Sequence, residues 1–197
     1  MTKTPGDTVP FVDEFLPTFD IDSRHQIEVA APAEVVYEEA RRLDMSSSWT
    51  IRFLFRLRGM PRSALNAEGL SRIRFKSLVE DPPLGFALGI VGQFWTPTGR
   101  LVDFDPGEFR AFERPGVAKA IWSFDITPES ATAVTLRTIT RVSCSDLSSR
   151  RSFGRYWTVI GPVSSLIRAR VLRLVKRSAE KRQGRRSALY DEDGVEL

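Results

Sequence analysis

One histidine and one cysteine, His25 and Cys144, bound the chemistry open to this chain. A Ser-His-Asp or Cys-His nucleophilic arrangement needs an imidazole to take the proton, so it would have to run through His25. His25 stands beside Arg24 in an alternating stretch, where a lone histidine more often serves structure than catalysis. Cys144 allows neither an intramolecular disulfide nor a cysteine-based metal site. Asp103 and Asp105 flank Phe104, but Asp105-Pro106-Gly107 reads as a turn. There is no glycine-rich phosphate loop and no HExxH helix. Tyrosine, arginine and aspartate can promote a cyclisation or dehydration in a closed pocket, and a deeply buried Arg137, Arg141 or Asp125 would point that way. Nothing selects such a set. No catalytic or metal-ligating residue and no cofactor is assigned, and binding is expected ahead of catalysis.

The residues suited to holding a ligand are aromatic with a few polar companions, as ligand pockets require. Trp95, Trp122, Thr138, Arg141, Tyr156 and Trp157 form the expected lining. The inward strand faces would be Ala118, Ala120, Trp122, Phe124 and Ile126, and Val134, Leu136, Thr138, Thr140 and Val142. Strict alternation puts Arg141 on the opposite face from Thr138 and Thr140.

Elements must hold these residues. From Leu147 to Gln183, Phe153, Tyr156, Trp157, Ile160, Ile167, Val171 and Leu174 recur at three- and four-residue steps, the mark of one helix face. Gly161-Pro162 predicts a kink or break in this helix, and Gly184 a stop. Upstream, residues 24–30 alternate as a strand. Ala33–Leu43 follows as a short helix behind Pro32, and a second short helix carries Trp49, Phe53, Leu54 and Leu57. From Leu70 the period becomes two. Strands are expected near 70–79, 85–95, 100–104, 108–113, 118–127 and 133–145, joined by short turns and therefore antiparallel. Phe11, Val12, Phe15, Leu16 and Phe19 predict an extended packed arm, because Pro10 and Pro17 discourage a helix. The layout is α+β, with helices on one face of a sheet. Three parts follow: an N-terminal arm at 1–20, a domain at 21–183 and a flexible tail at 184–197.

The order of elements resembles the START-like superfamily (SRPBCC; polyketide cyclase/dehydrase and lipid-transport families). Three stretches carry the resemblance. Arg24-His25-Gln26-Ile27-Glu28-Val29-Ala30-Ala31-Pro32-Ala33-Glu34-Val35-Val36-Tyr37 looks like the opening strand, small-Pro turn and first helix. Leu88–Trp95 looks like a mid-sheet strand, and Ala118–Phe124 with Val134–Val142 like the last two strands. The resemblance spans about residues 20–180. It implies a helix-grip fold, a curved antiparallel sheet of about six to seven strands around a long C-terminal helix, with two short helices after the first strand. It also implies an apolar cavity between sheet and helix for a hydrophobic small molecule or lipid, or alternatively a cyclase/dehydratase-type activity.

Charge is unevenly spread. Twelve of the 29 Lys/Arg residues lie between Arg150 and Arg186 with one acid, Glu180. The remainder keeps 17 basic against 24 acidic residues, so a basic helix is joined to an acidic body. Such a helix is either a solvated face or a contact for an anionic surface. Arg168, Arg170, Arg173, Lys176 and Arg177 are the expected contacts with phospholipid head groups. RNA is disfavoured, since no RNP-type motif or zinc knuckle is present. No apolar run nears the ~20 residues of a membrane span. Met1–Pro10 lacks the features of a signal peptide, which with the lone cysteine points to a cytoplasmic location. Oligomeric state is left open.

Overall fold

The computed structural model describes residues 10–43, 75–96 and 99–192, the side chains of 186–192 excepted. Helix α1 (Phe11–Phe15) leads into strand β1 (Ile21–Val29) and helix α2 (Ala33–Arg41). Strands β2 (Lys76–Asp81), β3 (Gly85–Gly92), β4 (Ala118–Ser130) and β5 (Ala133–Cys144) follow, and helix α3 (Leu147–Glu192) closes the chain. The five strands form one curved antiparallel sheet in the order β1-β5-β4-β3-β2. The helix-grip layout therefore holds. The expected second short helix and residues 70–74 lie outside the described residues.

Alternation on β4 and β5 builds two cores. Phe124, Ile126, Val134 and Leu136 turn toward α3 and meet Ile167, Val171 and Val175 there, with Val36 of α2. The alternate residues Ile121 and Ile139 turn to the far side and pack with Val12 and Leu16 of the N-terminal arm. A sheet with both faces covered can keep apolar residues on both, as the β3 run Gly85–Gly92 does.

Several expectations are corrected. The arm is helical at Phe11–Phe15, because Pro10 precedes the helix, where its missing N–H costs nothing, and Pro17 lies beyond its end. Residues 108–113 are not a strand. Asp105 Oδ1 accepts from Gly107 N at 2.7 Å and starts a single 3-10 turn, Pro106–Glu108. Phe109 and Phe112 then pack beside Phe104 at a three-residue step, which suits turns rather than a pleat. Of the strand expected at 100–104, only the bridge Val91–Val102 forms. The described sheet thus has five strands, not six or seven. Helix α3 runs through Gly161-Pro162 without a break, and through Gly184 to Glu192. A Cβ at Gly184 would meet nothing, so the position imposes only the modest helix penalty of glycine.

Candidate functional site between the sheet and the long helix

Register brings distant polar residues together on the α3 side of the sheet. His25 of β1 pairs with Thr138 of β5, and Thr138 pairs with Phe124 of β4. One step along, Ser23, Thr140 and Trp122 stand in the same row. All point toward α3, whose Ser165 and Arg168, three residues apart, reach back.

Four hydrogen bonds and one cation–ring contact hold this group. Trp122 Nε1 donates to Thr138 Oγ1 at 2.7 Å, and Thr138 Oγ1 donates to Ser123 O at 2.8 Å. His25 Nε2 and Ser165 Oγ share a hydrogen bond of 2.7 Å. Arg168 Nε donates to Thr140 Oγ1 at 2.9 Å, and its guanidinium lies 5.8 Å from the Trp157 ring centroid. Arg168 is only 5% exposed, a cost that a long cation bears when it is hydrogen-bonded and stacked. His25 Nδ1 is buried and has no hydrogen-bond partner. Burial lowers the His25 pKa, and the nearby Arg168 charge lowers it further. The ring is therefore neutral at neutral pH, and Nδ1 or Nε2 carries the single proton.

An aromatic cluster lies at one end. Phe153 is buried, with Trp157 stacked on it at 5.7 Å, Tyr156 at 5.9 Å and Trp95 at 6.1 Å. It packs on Ala118, Val142 and Cys144. Trp122 sits further along the sheet, 5.2 Å from Phe124.

Of the six expected lining residues, Trp95, Tyr156 and Trp157 gather around Phe153, and Trp122 and Thr138 bond each other. Arg141 is not with them. It lies under the N-terminal arm on the far face, where Asp13, Asp22 and Leu16 O hold it and the Phe19 ring covers it at 4.3 Å. Asp125 is also on that side, accepting from Ser123 Oγ and Phe11 N. Sequence reasoning placed Thr140 on the inward strand face without counting it in the lining, and missed Ser165 and the inward role of Arg168. A signal existed for Arg168: it adjoins Ile167 and precedes Val171 by three, so it falls on the buried stripe of the helix. Among the described residues no group of three or more His, Cys, Asp or Glu is placed to hold a metal ion. Nor is any described helix long and apolar enough to cross a membrane.

No family model matches the sequence, and no curated protein matches it. Among solved structures, a conserved protein from Geobacillus kaustophilus is similar at 11% identity and a TM-score of 0.43, over 82% of this chain and 96% of that one. The Zhui aromatase/cyclase from Streptomyces sp. R1128 is similar at 12% identity and 0.30, over 82% and 94%. Norcoclaurine synthase from Thalictrum flavum, in complex with dopamine and hydroxybenzaldehyde, is similar at 14% and 0.29, over 82% and 84%. At such identities and TM-scores none of these likenesses bears on function.

Proposed function

We propose that the chain binds a hydrophobic small molecule between the β4–β5 face and α3. One observation carries this reading: an apolar and aromatic layer into which His25, Thr138, Thr140, Ser165 and Arg168 converge as a small polar group. Apolar walls supply affinity, and a few placed polar atoms orient the guest. The indole N–H of Trp122 and the hydroxyls already have partners, so their role is to hold the wall in shape. Arg168 and His25 are the groups suited to meet an oxygen of the ligand.

A second reading, cyclisation or dehydration in the same space, is favoured by His25 alone. A neutral imidazole with Nδ1 bare of protein partners can accept a proton from a bound molecule.

Native mass spectrometry of the purified protein, followed by titration with 1-anilinonaphthalene-8-sulfonate, tests the first reading. A co-purifying apolar molecule, or saturable one-to-one dye binding that weakens in Trp122→Ala, is the expected result. No co-purifying molecule together with unsaturable dye binding would overturn it. Under the second reading His25→Gln would keep binding and lose turnover.

A further inference from the structure

Helix α3 has an outward face that no other described element covers. At 100° per residue, exposed Arg155, Val159, Pro162, Leu166, Arg173, Arg177 and Lys181 fall within an arc of roughly 100°, with exposed Thr158 and Ser178 on its flanks. That arc runs about 40 Å along the helix axis. Its centre is apolar: Val159 is 72% and Leu166 60% exposed, with exposed Pro162 between them. Its ends are cationic, with exposed Arg155 before this centre and exposed Arg173, Arg177 and Lys181 after it. None of these four cations has an ion-pair partner among the described residues. Glu180, the one acid between Arg150 and Arg186, shares the angle of Pro162, but its carboxylate is engaged: it accepts from Ala30 N at 3.0 Å and pairs with Lys176 at 3.3 Å.

The structure thus sorts the basic residues of α3 by use. Arg168 is buried against the sheet, Lys176 also donates to Glu28 O at 2.7 Å, and Arg182 pairs with Glu38 at 2.7 Å. These serve the fold. A sequence reading that groups Arg168 and Lys176 with a surface contact therefore mixes two populations. A single exposed aliphatic residue needs no explanation. Two of them seven residues apart, flanked by cations on a face whose one acid is already paired, match the pattern of a helix lying in a membrane interface.

We propose that this outer face of α3 docks on a bilayer surface containing anionic phospholipid. Arg155, Arg173, Arg177 and Lys181 would meet the head groups, and Val159, Pro162 and Leu166 would enter the boundary beneath them. Single-stranded RNA fits less well. It is held by aromatic stacking as well as charge, and Tyr156 and Trp157 of this helix pack inward around Phe153. The proposal does not depend on a bound small molecule.

Co-sedimentation of the full chain with phosphatidylcholine vesicles, with and without phosphatidylserine, tests it. Binding is expected only with phosphatidylserine, and it should fall as salt rises. Each cation at such a surface contributes about fivefold to partitioning, so Arg173→Gln with Arg177→Gln should weaken it about 25-fold. Val159→Ser with Leu166→Ser should remove the binding that survives at high salt. All four positions are exposed or at the surface, and circular dichroism should report an unchanged fold. Absence of binding to phosphatidylserine vesicles would overturn the proposal, as would equal binding by the Arg173/Arg177 variant. Binding to single-stranded RNA without binding to vesicles would assign the face to RNA instead.

Discussion

His25 and Ser165, 140 residues apart in the chain, share a hydrogen bond of 2.7 Å that ties the first strand to the middle of the last helix. Burial and the Arg168 charge lower the His25 pKa. In the unfolded chain the ring gains its proton near pH 6.5; in the folded chain it does so only at lower pH. Between those values the unfolded state binds more protons, so stability rises with pH. The contribution is complete above about pH 6.5 and is lost as pH falls toward the folded value. Asp125 works the other way. Its pKa is raised, chiefly by burial, so mild acid favours the fold at that site. His25→Gln, which can still bond Ser165, should flatten the loss of stability below about pH 6.5. Urea melts across pH check this, and an unchanged slope would remove His25 as the cause.

Thr138 is fully buried and has both its hydrogen-bond roles filled, by Trp122 Nε1 and Ser123 O. Thr138→Val keeps the shape and strands an indole N–H, which should cost about 1–3 kcal/mol. Thr138→Ser keeps the hydroxyl and loses a methyl, at a cost of about 1 kcal/mol. The order of the two in denaturant melts tells hydrogen bonding from packing: a larger loss in the serine variant would mean that packing dominates.

Arg141 is 2% exposed and answers to two carboxylates, Asp22 at 2.9 Å and Asp13, with Leu16 O at 3.1 Å. Burial by itself would raise the Asp22 pKa, but hydrogen bonds from Arg24 and Arg141 outweigh it and hold the carboxyl low. Removing the cation uncouples the arm from the sheet, so Arg141→Ala should cost about 3–5 kcal/mol. Asp13→Asn leaves Asp22 in place at a more exposed site and should cost less than about 1 kcal/mol. Equal losses in thermal melts would show that the arm, rather than the cation, sets the stability there.

How much of this was legible follows from the range of each interaction. The inward faces of β4 and β5 could be read because a pleat alternates whatever surrounds it, and Trp122 and Thr138 came with them. The stripe of α3 could be read for the same reason. Arg168 could not be placed by type, since a charge in a list of charges does not show that Thr140 and Trp157 await it. Ser165 has no local signal at all; its partner sits on the first strand. The segment 108–113 misled because it lies between turn signals in a run of strands, although its phenylalanines stand three apart, and the Asp105 turn that precedes it is set by one side-chain hydrogen bond.

Cys144 should be inert in the folded chain. Burial, with help from the Asp20 carboxylate, pushes its thiol up to about 12. Since the thiolate is the reactive form, modification at neutral pH should be on the order of 10³-fold slower than for a free cysteine. Labelling with a chromogenic disulfide across denaturant should follow unfolding. Rapid labelling of native protein would place the thiol in a more open setting than the sheet provides.

One substitution at three glycines should give three different results. At Gly85 the backbone has φ +143°, and a Cβ would lie 2.1 Å from Phe124 O, an atom fixed in the neighbouring strand. Gly85→Ala should therefore cost about 3 kcal/mol or more, from strain and displaced backbone together. At Gly89 the added methyl meets only the Leu78 side chain, at 2.9 Å, which can turn aside; about 1 kcal/mol is expected. At Gly184 the methyl meets nothing, and alanine there should stabilise the helix by up to about 1 kcal/mol. Melting temperatures of the three variants check the order. A Gly85→Ala protein as stable as the parent would mean that β3 and β4 do not approach as closely as their register requires.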